Sequence, residues 1–191
     1  MGSAVEDREM AARLPEGDVI RILLEQHARI RDLFDEVKGS EGEHKEQAFD
    51  ELRALLAVHE TAEEMVLRPV SKEVAGESVV EERNHEEHEA NHVLQQLESM
   101  DVNSPDFDAQ LAMFQGAVDR HAEAEEHEEF PAVLQSCDVE RRVAMGKRLE
   151  AVESLAPTHP HPSTAGSPAA QWTVGPFASI IDRARDALSR N

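Results

Sequence analysis

Tyrosine is absent from this 191-residue chain, and cysteine occurs once, as Cys137. The first absence excludes a tyrosyl ligand or radical from any redox chemistry. The second excludes an internal disulfide and a cysteine-built zinc cluster, and it fits a reducing cytoplasm. Basic residues are scarce: Lys and Arg number 19 against 40 Asp and Glu, a formal net charge of −21. Such a surface repels nucleic acid and anionic membranes and attracts cations. No apolar run approaches the ~20 residues that cross a bilayer. The opening "MGSAVEDREM" lacks the apolar core of a signal peptide, and Glu6 stands where a myristoylation signal needs Ser or Thr.

Strand signals are lacking too, and almost every segment reads at helical period. On a first helix Ile20, Leu23, Leu24, His27, Ile30, Phe34 and Val37 share one face, with Asp18 to cap the start and Gly39 to end it. A second helix runs from near Glu43 to about Val74, with Leu52, Leu56, His59, Glu63 and Val66 in its stripe and a bend expected at Pro69. A third starts at a capping box, Ser78 and Glu81, and reaches about Met100. A fourth begins at Ser104-Pro105, carries Leu111, Phe114, His121 and Glu125, and ends near Pro131.

The predicted fold is all-α: an up-down-up-down four-helix bundle, built of two similar helix pairs joined by short loops. Residues 1–17 read as a flexible N-terminal tail, 18–136 as the bundle and 137–155 as an additional helix. Residues 156–171 read as a Pro/Ser/Ala linker and 172–191 as a short amphipathic helix, with Phe177, Ile180, Ile181 and Leu188 aligned. That terminal helix is expected to dock on the acidic bundle or on a protein partner.

Two hexamers stand out, "HETAEE" at 59–64 and "HAEAEE" at 121–126, each followed at the same distance by a proline, Pro69 and Pro131. Residues four apart lie on one face of a helix, so His59 with Glu63, and His121 with Glu125, can reach one point in space. Both pairs lie inside apolar stripes, as does His27. A buried imidazole or carboxylate is costly unless it is paired or binds a metal. A structural His–Glu bond explains one such pair; two at equivalent places of a repeat, with His27, point to a metal site.

Helix three has more histidines but a different register. Its apolar stripe is Val79, Ala90, Val93, Leu94 and Leu97. At about 100° per residue, Glu87 lies roughly 60° from Ala90, whereas His88 and His92 lie about 160° away. Alignment of the repeat sets Glu87 opposite His27. Glu87 is therefore the expected contribution of helix three, with His88 as the second choice, and Glu86 points partly inward.

His27, His59-x-x-x-Glu63, an acidic or His position on helix three, and His121-x-x-x-Glu125 followed by "EEFP" together resemble the hemerythrin-like, HHE cation-binding family, over about residues 18–136. The resemblance implies a four-helix bundle with two non-haem irons in its core, held by His27, His59, Glu63, His121 and Glu125. Oxygen-carrying members have a His-x-x-x-His pair on helix three. Here that spacing falls on His88 and His92, which the stripe turns outward, so reversible oxygen carriage is not the expected role. A ferritin-type site is not indicated either, because Glu-x-x-His occurs twice on helix three alone, at Glu82/His85 and Glu89/His92.

The expected function is that of a cytoplasmic di-iron protein that handles O2, peroxide or NO, or senses iron or redox state. Manganese and zinc accept many of the same ligands. No catalytic motif beyond the metal site is evident. A metal-independent helical interaction or scaffold protein is the alternative, suited to the acidic surface, the additional helix and the terminal amphipathic segment.

Overall fold

A computed structural model describes residues 2–155; the expected linker and terminal helix lie outside the described residues. Among these, every regular element is a helix. In chain order they are α1 (Ala4–Ala11), α2 (Val19–Gly39), α3 (Gly42–Ala62), a π turn (Glu63–Leu67), α4 (Arg68–Val74), α5 (Glu77–Glu98), α6 (Pro105–Ala124), a second π turn (Glu125–Glu129), α7 (Phe130–Ser136) and α8 (Val139–Leu155). Each π turn joins its flanking helices into one continuous rod. The bundle thus consists of α2, the α3–α4 rod, α5 and the α6–α7 rod, with α8 packed across α2 and α3. None of the described helices is long and apolar enough to cross a membrane.

The caps follow the sequence in two places. Asp18 accepts from the Ile20 amide at 3.1 Å, and Ser104 accepts from the Phe107 amide at 3.2 Å. Each satisfies an amide that has no partner inside its helix. Asp18 also accepts from Arg142 Nε at 2.7 Å, which ties α8 to the start of α2. Gly146 makes that approach possible, because a Cβ there would meet the Gly17 carbonyl oxygen at 2.0 Å.

Four local expectations are corrected. Residues 1–17 are not simply a tail: Ser3 caps α1 by accepting from the Glu6 amide. On α1, Ala11 enters the core and Asp7 is buried against Arg31 of α2. The Ser78/Glu81 capping box does not form, since Gly76 (φ +105°) caps α5 two residues earlier without a side-chain bond. The expected bend at Pro69 is taken up as a π turn. A proline ring inside an α-helix clashes with the carbonyl four residues back and removes a donor, and a wider turn just ahead of it absorbs both effects. Pro131 is preceded in the same way, so the fourth rod continues past it to Ser136.

The core is divided. One apolar cluster, including Leu23, Leu24, Ala62, Leu67, Phe130 and Leu149, fills the end covered by α8. The other, including Ile30, Phe34, Leu56, Leu94, Leu97 and Phe114, fills the opposite end. Between them runs a polar layer. On α2 the order is Leu24, His27, Ile30; on α3 it is Leu56, His59, Ala62.

Candidate metal centre

The polar layer is almost closed to solvent. His27 is 2%, His59 4%, Glu63 0% and Glu125 0% exposed. Two four-residue groups bring donor atoms within 4.8 Å of one another: His27, His59, Glu63 and Glu125, and Glu63, Glu87, His121 and Glu125. Glu63 and Glu125 belong to both. Together the groups contain the six residues singled out from the sequence. His88 and His92 lie elsewhere: both are exposed on α5, with their Nε2 atoms 3.1 Å apart.

The three inward histidines are oriented alike. His27 Nδ1 meets Glu126 Oε1 at 2.8 Å, His59 Nδ1 meets Gln26 Oε1 at 2.7 Å, and His121 Nδ1 meets Glu86 Oε2 at 3.0 Å. An acceptor at Nδ1 holds a proton there, so Nε2 is the nitrogen turned to the centre of the layer, where its lone pair serves a metal once any second proton has left. For His59 the chain of bonds is complete. Gln26 Nε2 donates to Glu153 of α8, which fixes the amide so that its oxygen faces His59. Inside the layer, His27 Nε2 lies 3.3 Å from Glu125 Oε2, His121 Nε2 lies 3.3 Å from Glu125 Oε1, and His59 Nε2 lies 3.6 Å from Glu63 Oε1.

The protein leaves several of these atoms without hydrogen-bond partners: both Glu63 oxygens, Glu125 Oε2, His27 Nε2 and His121 Nε2. Buried polar groups are ordinarily satisfied, and an orphaned one costs about 1–3 kcal/mol. Five such atoms from four residues, converging on one small volume, fit a cation as the missing partner.

Electrostatics divides the carboxylates. Burial and the neighbouring Glu125 charge push the Glu63 carboxyl well above its usual range. Burial also opposes ionisation of Glu125, but His121 and Arg68 outweigh it and hold that carboxyl well below the usual range. Burial lowers His59, with the nearby His27 charge in the same direction. At His121 burial is overcome by Glu125, and its pKa is well above the ordinary value.

Beside the layer is a cavity of about 30 Å³, walled by Ile30, Leu56, Ala90 and Val118 and reaching His59 and His121. It has room for a molecule the size of one or two waters. Glu60 also lines it and accepts from Asn91 Nδ2 at 3.1 Å. Burial and the Glu87 charge push the Glu60 carboxyl up to about 8.

Sequence reasoning missed Arg68. Its guanidinium is buried in the layer: Nη2 donates to Glu87 and, at 2.7 Å, to Glu125 Oε1, while Nη1 donates to both oxygens of Glu129 at 2.9 and 2.8 Å. An α-helix of 3.6 residues per turn sets position 68 about 140° around from Glu63. The π turn changes that. Its bond runs from the Arg68 amide to the Glu63 carbonyl, five residues back, which stacks Arg68 roughly one turn above Glu63. The available signal was the repeat itself, in which Arg68-Pro69 matches Phe130-Pro131.

A family model described as the hemerythrin HHE cation binding domain matches residues 18–133, well over half of the chain. An uncharacterized hemerythrin-like protein of Schizosaccharomyces pombe is 28% identical over 138 residues, covering 71% of this chain and 68% of its own. A Nostoc protein named DNA nickase is 26% identical over 155 residues, covering 81% of this chain but 43% of its own length. No solved structure matches the chain significantly. The matched span holds all six converging residues, and the chain belongs to the hemerythrin HHE cation-binding family.

Proposed function

We propose that the protein holds two non-haem iron ions in the polar layer and uses them to handle O2, peroxide or NO, or to sense iron or redox state in the cytoplasm. The observation that carries this reading is the common orientation of three imidazoles. Each gives its Nδ1 to an outer acceptor and turns Nε2 toward two buried carboxylates that belong to both donor groups. Glu63 and Glu125 suit a bridging role, since each carboxylate has two oxygens. His27 and His59 would serve one ion, and His121 and Glu87 the other. Imidazole with carboxylate suits iron in either oxidation state, and such iron supplies one-electron chemistry toward small oxygen and nitrogen species. The small cavity that reaches His59 and His121 suits a ligand of diatomic size.

The name of the Nostoc relative does not transfer readily. A net charge of −21 opposes approach to a polyanionic duplex, and this chain spans less than half of that protein.

The test is metal analysis of the full-length protein for iron, manganese and zinc, paired with its near-ultraviolet spectrum. Two irons per chain with ligand-to-metal bands are expected. Manganese or zinc at that stoichiometry would correct the metal. A colourless protein that takes up no metal would leave the scaffold reading in its place.

A further inference from the structure

The two halves of the polar layer repeat one another closely. His59 matches His121, Glu63 matches Glu125, and Pro69 matches Pro131, each rod having its π turn at the same place. The match fails at several positions, Gln26 with Glu86 and Leu67 with Glu129 among them, and two of the differences form a pair. His27 on α2 corresponds to Glu87 on α5, and Phe130 corresponds to Arg68. These exchanges are not independent, because in each half the two differing residues touch. Phe130 lies against the His27 ring, with centroids 5.6 Å apart. Arg68 Nη2 donates to Glu87 Oε1. One half is therefore closed by an aromatic ring, and the other by a guanidinium.

That guanidinium shares its acceptors with the second donor group. Nη2 bonds Glu87 and Glu125 and lies 3.6 Å from Glu63 Oε2. These are three of the four members of the Glu63, Glu87, His121 and Glu125 group. Arg68 has no such hold on His27 or His59. A guanidinium and a metal ion compete for the same oxygen lone pairs, and two cations at that separation repel. Glu129 anchors Arg68 from outside both groups through Nη1, and it is itself fully buried.

We propose that Arg68 is the resident cation of the second position and orders metal loading. The first ion enters the His27, His59, Glu63 and Glu125 half. A second ion binds the Glu87 half only by displacing Nη2 from Glu87 and Glu125. The centre is thus built to be asymmetric, tight for one ion and weak for the next. This rests on the two-ion reading above, and the experiment separates the two.

Full-length protein stripped with chelator is titrated with Co(II), followed by calorimetry and by the visible Co(II) bands. In the wild type the second step should be at least tenfold weaker than the first. Arg68→Met should strengthen the second step about tenfold or more and change the first by less than about threefold. Should Arg68→Met misfold, Arg68→Met with Glu129→Gln removes the guanidinium together with its one partner outside the donor groups. Circular dichroism checks both variants. A second step unchanged in a folded variant, or two equally tight steps in the wild type, overturns the role of Arg68 and leaves the two-ion centre standing. No Co(II) uptake by the wild type or either variant removes both readings.

Discussion

The ring of Phe130 is stacked on the imidazole of His27, with planes 20° apart. The contact joins the first residue after the second π turn to the middle of α2. It ties the apolar cluster under α8 to the polar layer. Phe130 is 2% exposed, so its removal leaves a cavity beside His27. Phe130→Ala should cost about 3–5 kcal/mol in denaturant unfolding. Phe130→Leu should cost less and still weaken metal uptake, because His27 loses one wall of its seat. Unchanged uptake in Phe130→Leu would show that Glu126 alone orients the ring.

Glu63 presents a trade between stability and binding. Both of its carboxylate oxygens are buried without a hydrogen-bond partner. Glu63→Gln keeps the volume and removes the cost of ionising a buried carboxyl, so the metal-free protein should become more stable at neutral pH. The same variant should lose most of the thermal stabilisation that added metal gives the wild type. Melting curves with and without metal read both effects. A metal-free variant less stable than the wild type would mean that the attraction of Arg68, 3.6 Å from Oε2, outweighs the cost of burying the charge.

Helix three separates spacing from register. Glu87 is half-buried beside His121 Nε2 at 3.5 Å, whereas His88 and His92 are exposed. Glu87→Ala should lower metal content or shift the absorption bands. A His88→Ala, His92→Ala double variant should bind metal as the wild type does. The reverse pattern would show that α5 turns on loading and would restore the oxygen-carrier reading.

Asp7 gives a pH dependence with a definite sign. Burial, then the neighbouring Glu126 charge, raises its carboxyl from 3.8 to about 6, against the pull of Arg31. A carboxyl raised in the folded state contributes stability that is complete below its unfolded value and is lost as pH rises through the folded one. The window is therefore about pH 4 to 6. Asp7→Asn should remove this loss, so the variant should gain on the wild type across that window. The gain should level off above pH 7 at no more than ~3 kcal/mol. A difference that is flat with pH would place the cost elsewhere.

Gly146 tests the seating of α8. The added methyl of Gly146→Ala would strike the Gly17 carbonyl, so α8 must shift at a cost of about 1–3 kcal/mol. Because Glu153 of α8 orients Gln26, and Gln26 orients His59, metal affinity should fall together with stability. Lost stability at unchanged affinity would uncouple α8 from the layer.

The helical period, the caps at Asp18 and Ser104, and the interruption of the apolar stripes by His27, His59, Glu63, His121 and Glu125 were all legible in the chain. They depend only on local rotation and on the cost of burying polar groups. The rotation of α5 could be read too, because Ala90, Leu94 and Leu97 leave one side for the core and Glu87 lies near it.

Tertiary structure decided the rest. α1 is short, and its buried Asp7 meets Arg31 across 24 positions of sequence, a contact that no local pattern announces. Arg68 was hidden for a different reason. A period of 3.6 residues turns it away from Glu63, and only the π turn ahead of Pro69 brings it over the layer. The choice of π over α depends on a proline that an α turn cannot accommodate and on buried carboxylates that hold the guanidinium once it arrives. The sequence by itself therefore determined which side chains face inward. Packing between rods decided which cation they meet first, because that depends on Glu87, Glu125 and Glu129 converging from two other rods on one buried arginine.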